Sequence, residues 1–123
     1  MITQTSIHAN FSVDDLDEAK KFYVDKLGFK LSEKHEGNIV IESESGAKAN
    51  IYHKEDHVAW DSTVFGIEVE NVEKAIDELE HMAIYVEKLP GTDDKGIAHD
   101  PEMGDAAWFR DPADNWVCVS NGL

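Results

Sequence analysis

The feature that most constrains this chain is a pattern that occurs twice. At an offset of 56 residues, Val13-Asp14-Asp15-Leu16-Asp17 falls on Val69-Glu70-Asn71-Val72-Glu73, Ala19 on Ala75 and Tyr23 on Leu79. Each copy begins with an alternating stretch. Residues 6 to 13 put Ile7, Ala9, Phe11 and Val13 on one side and His8, Asn10 and Ser12 on the other, which is the period of a half-buried strand. Residues 62 to 69 repeat it, with Phe65, Ile67 and Val69 against Val64, Gly66 and Glu68. A helix follows each strand. Asp15 with Glu18 three residues on resembles a capping box ahead of Leu16, Ala19, Phe22, Tyr23 and Leu27, and Gly28 stands where a helix-ending glycine belongs. Asn71 caps a second stripe of Val72, Ala75, Ile76, Leu79 and Met82.

Short strands complete both halves: 29 to 34, 38 to 43 and 48 to 53 in the first, then 84 to 88, 106 to 110 and 115 to 120 in the second. An acidic loop carrying Asp93, Asp94, Asp100, Glu102 and Asp105 separates the 84 to 88 strand from the last two. A chance match between two α+β halves would look similar; an internal duplication is the reading adopted. A sheet with one helix is too small to be stable alone, so the chain of 123 residues is expected to form a single domain of modules 1 to 58 and 59 to 123.

Composition excludes several partners. Twenty-six Asp and Glu against 11 Lys and Arg leave a net charge of -15, which repels nucleic acid and anionic membranes and favours cationic or neutral guests. No apolar run is long enough to span a bilayer and the first residues lack a signal-peptide pattern, so a cytoplasmic protein is expected. Cys118, the single cysteine, precludes an intrachain disulfide and a zinc ribbon.

The segments Ile7-His8, Val13-Asp14-Asp15-Leu16, Phe22-Tyr23 and Leu27-Gly28-Phe29 resemble the opening half of the vicinal oxygen chelate superfamily, which includes glyoxalase I, bleomycin-resistance proteins and extradiol dioxygenases. The closing Trp108-Phe109-Arg110-Asp111-Pro112-Ala113-Asp114-Asn115 is similar to that family's penultimate turn, usually Asp-Pro-Asp-Gly-Asn. The resemblance implies an α+β fold of two βαβββ modules forming a U-shaped mixed sheet around a small-molecule cavity, commonly in a homodimer. With the strand parity, it puts Ile7, Ala9, Phe11, Val13, Ile51, Phe65, Ile67, Val69, Val117 and Val119 under the helices. His8, Asn10, Ser12, Asn50, Tyr52, Val64, Gly66, Glu68, Trp116, Cys118 and Ser120 then line the cavity.

Metal-dependent members of the family take ligands from four strands, and those positions fall on His8, Asn50, Val64 and Cys118. Only His8 is a strong ligand of the expected type, so neither a metal nor another cofactor is expected, and Lewis-acid chemistry loses its basis. The resulting expectation is a metal-independent small-molecule-binding protein that sequesters or detoxifies a drug-like or reactive compound. The alternative is a lyase or isomerase in which His8, Tyr52 and Glu68 move protons on a carbonyl substrate. A third reading is a stress or regulatory domain without turnover. Asn10, Asn50, Trp108, Trp116 and Cys118 are the candidate ligand contacts. Each has a structural alternative: His8 as a satisfied core histidine, Asn50, Tyr52 and Glu68 as a solvated face, Cys118 as a small buried thiol, and both tryptophans as packing or dimer contacts. His53 and His57 read as surface histidines, and the acidic loop as a solvated lid from which His99 or Met103 touches the ligand.

Overall fold

The computed structural model describes residues 1–122, and the chain divides into two compact units, Met1–Val58 and Ala59–Leu123. The first contains β1 (Ala9–Val13), α1 (Leu16–Lys20) with a π-helical continuation (Lys21–Lys26), β2 (Lys30–Lys34), β3 (Asn38–Glu42) and β4 (Lys48–His53). The second contains β5 (Thr63–Glu68), α2 (Val72–His81), β6 (Ala98–Asp100), β7 (Gly104–Arg110) and β8 (Trp116–Ser120). The fold is α+β, and both units are βαβββ modules with four-stranded sheets of the same topology, β1-β4-β3-β2 and β5-β8-β7-β6.

In each module the first and last strands pair in parallel and the other neighbours are antiparallel. The paired helix starts follow from the same chemistry. Asp15 Oδ1 accepts from the Glu18 backbone N–H at 3.1 Å, and Asn71 Oδ1 accepts from the Lys74 N–H at 3.0 Å. Each cap satisfies a donor that the first turn cannot bond internally.

The apolar parity of the strands makes the cores. In module one, Phe11, Val13, Ile39, Ile41, Ala49 and Ile51 face Ala19, Phe22 and Tyr23, all of them buried. Tyr23 meets Phe11 edge-on at 5.8 Å between ring centroids and Phe22 at 5.1 Å. In module two, Ala107, Phe109, Val117 and Val119 are buried with Val72, Ile76 and Leu79 of α2.

Three expectations fail. Ile7 is 89% exposed, because β1 pairing begins only at Ala9↔Ala49 and the residue before it has no strand partner. Phe65, Ile67 and Val69 are only half-buried, whereas Phe11 and Val13 of the equally marginal strand β1 are buried. The 84 to 88 segment forms a single bridge, Val86 to Phe109, and the second strand of module two is instead β6, inside the acidic loop.

Gly28, at φ +87°, ends the first helix as its sequence suggests. The second helix reaches the same left-handed turn without glycine: Ala83 has φ 60°, and the Ile84 N–H returns to the Leu79 carbonyl at 2.9 Å. A left-handed alanine carries a steric cost of about 1–2 kcal/mol. Ala83→Gly is therefore expected to stabilise the protein, by about 0.5–1 kcal/mol once glycine's unfolded-state entropy is subtracted. Urea denaturation at neutral pH checks this, with Asn71→Ala as the opposite case, expected to lose about 1 kcal/mol with its cap.

Candidate functional site

Because each helix covers one side of its sheet, the residues of opposite parity form an open face. In module one that face carries a row of three asparagines. Asn10 and Asn50 are partners across the parallel β1–β4 pair, and Asn38 lies on β3, one step diagonal to Asn50. Asn38 Nδ2 donates to Asn50 Oδ1 at 2.8 Å, and Asn50 Nδ2 donates to Asn10 Oδ1 at 2.8 Å. The row is polar in the directional sense: among the described residues, the Asn10 Nδ2 group and the Asn38 Oδ1 atom are left without protein partners.

An open cleft of about 510 Å³ lies over this face. Its walls are Ser6, Ile7 and His8 ahead of β1, the strand residues Asn38, Val40, Lys48 and Asn50, and the turn at Gly46 and Ala47. His8 is exposed in it. Tyr52, the next residue of the same parity on β4, sits opposite Ser12 and Asn38 but does not line the cleft. Ser12 Oγ and His57 Nδ1 are 2.6 Å apart, so His57 is not a plain surface histidine but is bonded to the strand; His53 is exposed as expected.

The open face of module two is aromatic. Trp108 lies opposite Cys118, Gly66 lies opposite Cys118 on the other side, and Arg110 lies opposite Trp116. Trp108 Nε1 donates to Thr63 Oγ1 at 3.1 Å. The Arg110 guanidinium stacks 4.0 Å from the Trp116 ring centroid, its Nη1 donating to the Asp114 carbonyl at 3.3 Å and its Nε 3.6 Å from Glu87 Oε1. The cation–π seat on Trp116 is thus filled by the chain itself. Gly66 leaves open space beside Cys118, since a methyl group there would meet nothing within 4 Å. Burial pushes the Cys118 thiol up, away from the reactive thiolate. Register shifts between Thr63 and Phe65, so Thr63 rather than Val64 stands opposite Trp116. Glu68 is exposed at the end of β5, opposite Ser120. Neither module by itself gathers the His8, Tyr52 and Glu68 set.

The acidic loop is organised around His99. Its Nε2 is 2.8 Å from Asp93 Oδ2 and its Nδ1 is 2.7 Å from Asp105 Oδ1, a pair of carboxylate acceptors that favours the protonated ring. Asp93 also accepts from the backbone N–H groups of Lys95 and Ile97, at 2.9 Å each. His99 is therefore a clamp within the loop, and Met103 is 61% exposed.

Residues 5–119 match the description of the Glyoxalase/Bleomycin resistance protein/Dioxygenase superfamily. The chain belongs to this superfamily. Solved structures of superfamily type agree in fold. A glyoxalase family protein from Enterococcus faecalis is 18% identical, with 98% of this chain and 100% of that one covered at a TM-score of 0.75. A lactoylglutathione lyase from Agrobacterium tumefaciens is also 18% identical, with 98% and 95% covered and a TM-score of 0.75. The genomically encoded fosfomycin resistance protein FosX from Listeria monocytogenes is 12% identical, with 100% and 96% covered and a TM-score of 0.73. No curated protein matches significantly. At these identities the likeness is one of fold, and superfamily members use that fold for different chemistries.

The superfamily's metal positions, carried onto His8, Asn50, Val64 and Cys118, do not fit a metal. Val64 has no donor atom, the Asn50 amide is engaged on both sides by Asn38 and Asn10, and the Cys118 thiol is held protonated. Among the described residues, no group of three or more His, Cys, Asp or Glu side chains is placed to hold an ion. Among the described residues, no helix is long and apolar enough to cross a membrane.

Sequence parity located Asn10 and Asn50 but missed Asn38, Lys48, Thr63 and Arg110 as members of these faces. The signal for Asn38 was its shared face with Asn50 and Tyr52 across the turn that joins β3 to β4, readable only once the β3–β4 register is known.

The loop clamp has a pH signature. Hydrogen bonds from Asp93 first, and Asp105 second, raise the His99 pKa above its ordinary value, while His99 and the Ile97 N–H lower Asp93 to about 2. The His99 contribution is full below its unfolded pKa, about 6.5, and is lost as pH rises through the higher folded value; the Asp93 contribution is full above about 3.8 and lost as pH falls toward 2. The clamp is expected to be tightest between roughly pH 4 and 6.5. Amide exchange of residues 93 to 100 followed from pH 5 to 9 should speed up beyond its intrinsic base dependence in the native protein, and His99→Gln should remove the excess.

Proposed function

We propose that the protein is a metal-independent small-molecule-binding member of the superfamily, which sequesters or detoxifies a drug-like or reactive compound. The observation that carries this reading is Asn50: at a position where metal-dependent relatives hold a ligand, its side chain is built into a hydrogen-bonded amide row beneath an open cleft. Such a row is suited to orienting a polar guest rather than to polarising one. His8, Asn10 and Asn50 serve this cleft, and Trp108, Trp116 and Cys118 offer a flat apolar counterpart in module two. The net charge of -15 draws cations toward the protein from a distance. A reducing cytoplasm suits the single protonated thiol, and a homodimer is the assembly common in the family.

The lyase or isomerase alternative retains one supporting feature, the exposed His8 ring in the cleft. Tyr52, on the same module, does not line that cleft.

A thermal-shift screen of cationic, neutral and anionic compounds, run on chelator-treated protein and repeated with added zinc, nickel or manganese, separates these readings. Saturable stabilisation that is the same with and without metal is expected, reaching about 2.7 kcal/mol at a ligand concentration a hundred times Kd. Turnover of a carbonyl substrate that requires metal, or that His8→Ala abolishes, overturns the binding reading in favour of catalysis.

A further inference from the structure

We propose that the module-one cleft selects a small anion bearing a carboxamide, in contrast to the cationic guest that the overall charge suggests. The inference rests on the small-molecule reading above and specifies its ligand. Twenty-six of 123 residues are acidic, yet no residue lining the cleft is Asp or Glu, while Lys48 and His8 both are part of it. Lys48 is exposed, and among the described residues its ammonium has no ion pair or hydrogen bond. Its cross-strand neighbour is Glu42, whose carboxylate lies outside the lining and beyond ion-pair distance.

Range decides which charge the guest feels. At physiological salt the Debye length is about 8 Å, so the dispersed acidic surface is screened at the cleft while Lys48 acts at contact. A lysine is a compact point charge and suits a carboxylate or another small anionic head without demanding a planar fork. The amide row supplies the second element. Asn38 retains a free carbonyl oxygen and Asn50 retains one N–H beyond its bond to Asn10, so the strand pair beside Lys48 offers an acceptor and a donor together. A secondary amide presents the complementary N–H and C=O in one plane. Val40, opposite Asn50 on β3, meets the apolar part of such a guest.

Three nearly isosteric probes test the assignment: N-acetylglycine as the anion, N-acetylglycinamide as the neutral form and N-acetylethylenediamine as the cation. The readout is the side-chain amide resonances of Asn38 and Asn50 in the intact protein. N-acetylglycine is expected to shift both saturably, with an affinity at least tenfold above that of the cation, weakening as salt rises. Lys48→Gln is expected to remove the preference and Glu42→Gln to strengthen it; both sites are on the surface, and an otherwise unchanged amide spectrum verifies the fold. Equal or tighter binding of the cation, an unaltered affinity in Lys48→Gln, or shifts confined to module two overturn the inference. If N-acetylglycine leaves the asparagines unshifted while the compound screen still finds metal-independent ligands, the ligand class fails and the binding reading stands. If neither experiment finds a ligand, both fail.

Discussion

Each module is organised by a parallel pairing between its first and last strands, Ala9↔Ala49 in one and Phe65↔Val117 in the other. Two parallel strands cannot be joined by a tight turn, so the chain between them must cross over, and here it does so through one helix and two further strands. The crossover puts the helix on one side only. The apolar parity of the strands then has a helix to pack against, and the other parity is left facing outward. Core and candidate site therefore come from the same constraint, as the two sides of one sheet.

That link explains how much could be read from the chain alone. Strand parity depends only on alternation, so Phe11, Val13 and Ile51 in the core and Asn10 and Asn50 on the face follow directly from the sequence. The caps Asp15 and Asn71 are equally local. Ile7 and His8 defeat the same argument because alternation does not say where pairing stops, and β1 begins after them. The bulge at Thr63 and Phe65 defeats it in another way, by inserting a residue that shifts the count. In the 84 to 100 region the strand signal competes with backbone bonds to Asp93, and the acidic segment supplies β6. Neither outcome is visible in periodicity.

The site was legible in position more than in chemistry. Asn50 was identified as a poor metal ligand from its residue type, but its bonds to Asn38 and Asn10 depend on the register of three strands. Arg110 escaped notice because its role lies in stacking on Trp116, its direct partner across the β7–β8 pair, a contact that no linear motif records. That two carboxylates, Asp93 and Asp105, hold His99 between them is likewise not written in the residue types of the loop. In each case the deciding partner, from six to 40 residues away, is set by strand or loop geometry rather than by alternation.

The matched registers make Asn10 equivalent to Gly66, Asn50 to Cys118 and Val40 to Trp108. One topology thus carries an amide row in one copy and an indole beside a thiol and a gap in the other, with the buried parity apolar in both. Outward-facing strand residues contribute little to the core, so drift there is cheap in stability while drift beneath the helices is not. A duplicated module of this kind is therefore a scaffold on which two recognition chemistries can diverge independently, each copy free to lose what the other retains.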